Sequence, residues 1–591
     1  MKSILLVLIP VLFLSACKEQ QASSTTENES FNQMLVDYNE GKTLFDPITA
    51  TFLGKKEFNG AFAMTLSDSY KAELKSFYSK FQKENEQYKD SELTEEQQLS
   101  KALIAWDCDI ELSQAEFKHS AYMPIDQMWT VNLSMGQLAS ATSAQPFKTV
   151  EDYTNWFNRT RQYNQWLLKA IAKMKEGIEE GYVLPTSLIS KVIPQFQVLA
   201  ETPLKDNLFY SSIRLMPKDF SPEDKEQMTK EYSAFLEGKL IPTFSAMYEF
   251  LKTDYNNAGR ASSGLSDLPN GSEYYKHSIK KYTTTTMSAE EIHQLGLKEV
   301  ARILTEMEKV KTQVGFEGTI KEFFNHVREN KTLMPYSEPL QIIDNFNAIH
   351  AKMTPQLEKL FDKKPMTEFV VKQTEKFREA SASAQYNSGS LKDNRPGIFY
   401  VPIIDASKYN VFSDEALFLH EAIPGHHYQI SLVQENESLP EFRRSLWYSA
   451  YGEGWALYCE SLGKELGLYT DPYQYFGMLG MEMHRAIRLV VDAGMHAKGW
   501  TREQAIQYSL DNEAESEAGI ISEIERYMAK PGQALSYKIG QLKILELRAK
   551  AEIELGEKFD IREFHNQVLE TGCIPLALLE VRIDRWITET K

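Results

Sequence analysis

Phe418-Leu-His-Glu-Ala-Ile-Pro-Gly-His-His-Tyr-Gln-Ile430 is the stretch on which the reading of this chain turns. It opens with His420-Glu421, the first half of the H-E-x-x-H pattern. In that pattern two histidines one helical turn apart bind zinc, and the glutamate between them serves as general base. Here the next histidines, His426 and His427, stand five and six positions after Glu421 rather than three. On an unbroken helix His420 and His427 would share a face but sit about 10.5 Å apart along the axis. Two imidazoles on one tetrahedral zinc need their nitrogens roughly 3.3 Å from each other. A regular helix therefore cannot bring them together. Pro424 lacks the N–H that would bond the carbonyl of His420, and Gly425 tolerates unusual backbone angles. Together they predict a bulge that returns a histidine to the metal. His426, which follows Gly425, is the preferred second ligand and His427 the alternative.

A third ligand is expected on a following helix. In Tyr451-Gly-Glu-Gly-Trp-Ala-Leu-Tyr-Cys-Glu460 the apolar and small positions fit a buried helix. An acid there needs a partner such as a metal. Glu453 is the first choice, with Ala456 one turn on leaving space beside it. Glu460, two turns along the same face, is the alternative. A helix whose glutamates simply pair with Arg or Lys would show the same pattern. The ordered His-Glu, Gly-His and downstream Glu favours a metal.

Outward from this core the chain reads as helices. Apolar residues recur at three- and four-residue spacing over 74–81, 166–178, 228–251 and 542–555. Thr94 with Gln97, Ser288 with Glu291 and Thr501 with Gln504 fit capping boxes, and Ser221-Pro222-Glu223 fits a helix start. The best strand is Ile398–Ile403, and Pro402 suits an edge that pairs with a substrate backbone. The turn-rich segment 261–271 divides the body into an N-terminal helical lobe, residues 31–260, and a C-terminal lobe, residues 261–591, that contains the zinc motif. At 591 residues one core is too small, since cores stop growing near roughly 250–300 residues.

The N-terminus is read as an export signal. Lys2, the apolar run Ile4–Leu14 and the small residues Ser15 and Ala16 make residues 1–16 a signal peptide. The run is shorter than the roughly 20 apolar residues of a transmembrane span. Leu14-Ser15-Ala16-Cys17 looks like a bacterial lipobox, which implies a lipid on Cys17 and cleavage before it. Residues 17–30 would be the lipidated cysteine and a polar tether. Lys18 after the cysteine places the protein on the outer membrane facing the periplasm. Cys108, Cys459 and Cys573 show no C-x-x-C spacing and read as buried hydrophobes. A net charge of -18, from 83 acidic against 65 basic residues, argues against nucleic acid as a partner.

The segments HEAIPGHHYQ (420–429), EGWALYCE (453–460), RLVVDAGMH (488–496), PGQALSYKIGQL (531–542) and FHNQVLETGCIPLALLE (564–580) resemble the bacterial proteins grouped as domain of unknown function 885. That family looks like a branch of the gluzincin metallopeptidases, akin to thimet oligopeptidase and angiotensin-converting enzyme. The resemblance implies a mainly α, zincin-like bilobal fold with a deep channel and a small β element near the metal. It implies zinc as cofactor, His420, His426 and Glu453 as ligands, Glu421 as base and short peptides as substrates. Tyr537 becomes an oxyanion donor by the same resemblance. His484, Arg488, Asp492 and His496 recur every four residues on one helical face. Arg488 and His496 are then expected on a channel wall, meeting the substrate or its oxyanion. An ion-pair ladder from Arg488 through Asp492 to His496 would give the same spacing. Two rival functions share these residues: hydrolysis of another amide, in cell-wall or gamma-linked peptides, and peptide binding without catalysis.

Overall fold

The computed structural model describes residues 29–128, 130–379, 383–391 and 394–591. The expected signal peptide, Cys17 and most of the tether lie outside them. The chain is mainly helical, with one small sheet. The local start signals act as expected. Thr94, Ser288 and Thr501 each accept from the backbone of the residue three positions on, whose side chain returns the bond. Ser221 caps a helix with Pro222 at its first position. The four periodic stretches all fall within helices, 228–251 with two π-turns.

Seven helices build the functional region: α1 (Ala289–Gln313), α2 (Asp414–Glu421), α3 (His426–Glu435), α4 (Ser449–Ser461), α5 (Pro472–Lys498), α6 (Glu517–Ala529) and α7 (Ser536–Leu555). Packing of α4 on α7 needs glycine on both. A Cβ on Gly454 would meet Gly540 Cα at 2.5 Å, and one on Gly540 would meet the Ala450 carbonyl oxygen at 1.8 Å. The backbones therefore touch, which holds Glu453 at a fixed depth. Buried Lys538 of α7 reaches Glu482 of α5 at 2.6 Å and Glu299 of α1 at 3.1 Å, so one ammonium fastens three helices. That charge is tolerated in the interior because both carboxylates and Gln541 satisfy it.

The sheet consists of β1 (Phe369–Gln373), β2 (Gln385–Asn387) and β3 (Gly397–Val401), in the order β1-β3-β2. The strand read from Ile398 to Ile403 is thus the central one, parallel to β1 and antiparallel to β2. This corrects the expectation of an edge. Pro402 lies just past the last paired residue, so its missing N–H costs no ladder bond. The edge beside the functional cavity is β2.

Hydrophobic packing divides the body differently from a cut at residue 260. One core runs from Phe62 to Tyr255. A larger core unites Phe31–Cys108 with most of the C-terminal half. The N-terminal helices therefore belong to the C-terminal core, a long-range return that local composition does not encode. Arg443, 1% exposed, fastens this return by donating to Glu96 Oε2 at 2.7 Å and to the Thr571 carbonyl. Cys108, Cys459 and Cys573 are buried and unpaired, as read. No helix among the described residues is long and apolar enough to cross a membrane.

Candidate metal centre

The chain from His420 to His426 does not bulge within one helix. It breaks. α2 ends at Glu421, Ala422 leaves helical geometry, and α3 begins at His426. Gly425 makes the break possible. A Cβ there would stand 1.9 Å from the His420 carbonyl oxygen and 2.3 Å from that of Leu419. The returning backbone thus presses on the end of the helix it has left, and only glycine fits. Indole Nε1 of Trp455, on α4, donates to the Pro424 carbonyl at 2.9 Å and ties the break to the next helix.

This geometry brings His420, His426 and Glu453 together, with their ligand atoms all within 4.8 Å of one another. His420 Nε2 lies 3.8 Å and His426 Nε2 3.5 Å from Glu453 Oε2. The imidazole rings stand at 88°, their centroids 4.9 Å apart. Among the described residues no other group of His, Cys, Asp or Glu converges in this way. His427, one position further, points elsewhere: its Nδ1 lies 3.0 Å from the Tyr386 hydroxyl of β2. Burial pushes its pKa down to about 4, so it serves as a neutral packing group between α3 and the sheet.

Glu460 is not part of the triad but orients it. Its Oε1 accepts from His420 Nδ1 at 2.7 Å, which leaves Nε2 as the nitrogen facing Glu453. Such a carboxylate fixes the tautomer of a ligating histidine and raises its basicity. We expect Glu460→Gln to weaken metal affinity by roughly 10–100-fold, measured by competition with a chromophoric chelator. Unchanged affinity would remove Glu460 from the site.

The electrostatics mark a place where a cation fits. Burial lowers the pKa of His420, but bonds to Glu453 and Glu460 outweigh it and raise the value to about 9. Burial pushes the carboxyl of Glu453 upward, yet the two imidazoles hold it well below the usual carboxylate range. A proton on His420 thus balances the carboxylates it bonds. A divalent ion would do the same with two imidazoles and one carboxylate, a donor set that suits zinc and leaves one coordination position open. Glu421, next to His420 on the same helix, has its carboxyl lifted above the ordinary range by burial, against the pull of both imidazoles.

The triad lies on the wall of a cavity of about 1210 Å³. That exceeds the roughly 300–1,000 Å³ of a small-molecule pocket and suits an extended ligand. Glu421, Tyr537, Trp447, Arg488 and strand β2 line it too. Tyr537 therefore shares the space of the triad, and the Arg488 guanidinium sits 4.5 Å from its ring centre. His496 does not. It is fully buried, receives the Leu265 N–H on Nδ1 at 3.2 Å and faces the Tyr527 carbonyl with Nε2 at 3.0 Å. With both nitrogens used and its pKa pushed down by burial to about 3, it has no access to the cavity. The expectation of a channel-wall role for His496 is corrected accordingly. The ion-pair ladder is not formed either: Arg488 pairs with Glu523 at 2.9 Å, and Asp492 accepts from Tyr275 at 2.6 Å. A helical face 27 residues long drifts, so its lower half meets the cavity and its upper half the core. Arg485 and Arg526, which also line the cavity, belong to no motif and carried no sequence signal.

A model of the bacterial family of unknown function DUF885 matches residues 47–583. The chain belongs to that family. Among solved structures it resembles a "putative lipoprotein" from Colwellia psychrerythraea, with 26% identity, a TM-score of 0.85 and coverage of 95% of this chain and 99% of that one. A "putative lipoprotein of unknown function" from Shewanella oneidensis shares the fold at 18% identity and a TM-score of 0.69, covering 93% of this chain and 99% of that one. No curated protein matches. Within this DUF885 member, the triad, Glu421 and Tyr537 all fall inside the matched span.

Proposed function

We propose that this DUF885 protein is a zinc metallopeptidase that hydrolyses short peptides, built on a zincin-like fold akin to the gluzincins. The observation that carries the reading is the convergence of His420, His426 and Glu453 beside the buried Glu421 on one cavity wall. The three ligands would hold zinc, which when bound supplies the Lewis acidity for water activation and carbonyl polarisation. Glu421 accepts a proton from the attacking water as the carbon–oxygen bond forms. It then delivers that proton to the amide nitrogen as the carbon–nitrogen bond breaks. Burial, which raises its proton affinity, suits a group that must take a proton and return it. The Tyr537 hydroxyl, in the same cavity and with Arg488 against its ring, would donate to the developing oxyanion. Strand β2 offers an edge to which an extended substrate can add.

The expected lipid on Cys17 agrees with the description of both structural neighbours as putative lipoproteins, which supports a cell-envelope location; the enzyme would act on the periplasmic face of the outer membrane. Incubating the zinc-supplemented protein with a pool of short peptides and with muropeptides, read by mass spectrometry, tests the reading. Cleavage of the former that stops on chelation and returns with zinc is the expected result. Cleavage of muropeptides alone would move the substrate class to cell-wall amides. Folded protein that takes up no metal and cleaves nothing would leave a peptide-binding protein.

A further inference from the structure

The cavity that holds the triad also carries three guanidinium groups on its wall, those of Arg485, Arg488 and Arg526. Glu523 alone among the lining carboxylates serves two of them, at 2.9 Å from Arg488 and 3.1 Å from Arg526. The same carboxylate accepts from the Tyr527 hydroxyl at 2.6 Å and lies 3.4 Å from His484 Nε2. The other carboxylate on His484 is Glu513, at 2.6 Å from its Nδ1. Arg485 has no ion pair among the described residues, and its Nη1 donates to the Met481 carbonyl at 3.3 Å. Arg488 is 5% exposed, and its Nη1 is buried without a hydrogen-bond partner, as is Nε of Arg485. A buried guanidinium short of protein acceptors is costly, so these groups favour an anion beside them. Tyr537 neighbours both the guanidiniums and the triad. Its ring lies 4.5 Å from the Arg488 guanidinium and 5.9 Å from that of Arg485, and its hydroxyl is in the field of Glu453.

We infer that Arg485 and Arg488 form a subsite for a substrate carboxylate, held while the scissile amide lies at the triad beyond Tyr537. This rests on the peptidase reading and deepens it: the substrates are peptides with a carboxylate a short distance from the cleaved bond. A planar guanidinium matches a carboxylate with two parallel hydrogen bonds, and the low-dielectric wall strengthens them. The carboxylate is either the peptide C-terminus or an acidic side chain, and both present the same oxygens.

The test uses Glu421→Gln protein, which binds without turnover, and matched peptides with free-acid or amidated C-termini, each with and without a Glu side chain. Titration calorimetry reads affinity, and cleavage by the unaltered protein is followed in parallel. Free acids are expected to bind about ten- to a hundred-fold more tightly than their amides. Arg485→Gln should abolish the difference and Arg485→Lys should restore part of it. Because Arg485 holds no ion pair, its variants should unfold at no lower a temperature than the parent. Amides that regain affinity only with Glu assign the carboxylate to the side chain. Equal binding of acids and amides would overturn the subsite and leave the peptidase intact. Arg485-dependent binding of acids with no cleavage by the unaltered protein would uphold the subsite and sink the peptidase. Binding of neither form would overturn both.

Discussion

Glu421→Gln should bind zinc as tightly as the unaltered protein and lose turnover by roughly 10²- to 10⁴-fold, the range for removing a positioned general base. Gln keeps the shape of the side chain but cannot take a proton. Glu421 lies outside the ligand set, so metal content is expected to stay constant. KM should change little, because the group acts on water rather than on the peptide. Single-turnover assays with metal analysis on the same sample separate the two effects. A variant that cleaves peptides at an undiminished rate would remove Glu421 from the chemistry. One that loses its metal would recast it as a ligand.

The second large effect concerns the ligands. His420→Ala and His426→Ala should each reduce zinc from about one per chain to near zero, whereas His427→Ala should retain it. The contrast follows from geometry: both ligand histidines stand within 4 Å of Glu453, and His427 is engaged with Tyr386 instead. Zinc at a thousand-fold excess over its Kd stabilises the folded state by about 4 kcal/mol. The two ligand variants should therefore lose the rise in unfolding temperature that zinc gives the parent. His420→Ala also leaves Glu460 buried without its histidine, so its metal-free form should be the less stable of the two. A zinc-dependent rise that persists in both ligand variants would place the metal elsewhere.

The helical class and many helix starts were legible from local sequence, because caps and three- to four-residue periodicity act over a few residues. The Pro424-Gly425 pair announced an interruption for the same reason, since a missing N–H and a missing Cβ are properties of the residues themselves. The form of the interruption was not legible. Whether the chain bulges or breaks depends on what lies against it, here Trp455 of a helix that begins more than twenty residues later.

By itself, then, the sequence determined that this is a helical protein with a histidine–glutamate pair followed by a forced break. Only the tertiary structure chose His426 over His427, put Glu453 at the triad and Glu460 behind it, and sent His496 into the core. Glu453 and Glu460 lie two turns apart on one face, and His426 and His427 are neighbours beyond a break, so helical periodicity ranks neither pair. Contact between α4 and α7 at Gly454 and Gly540 ranks the glutamates by fixing the depth of α4. The central place of β3 was decided likewise, by β1 and β2 pairing on its two sides. Of the guanidinium wall only Arg488 was legible, since Arg485 and Arg526 share the wall only because α5 and α6 both line the cavity.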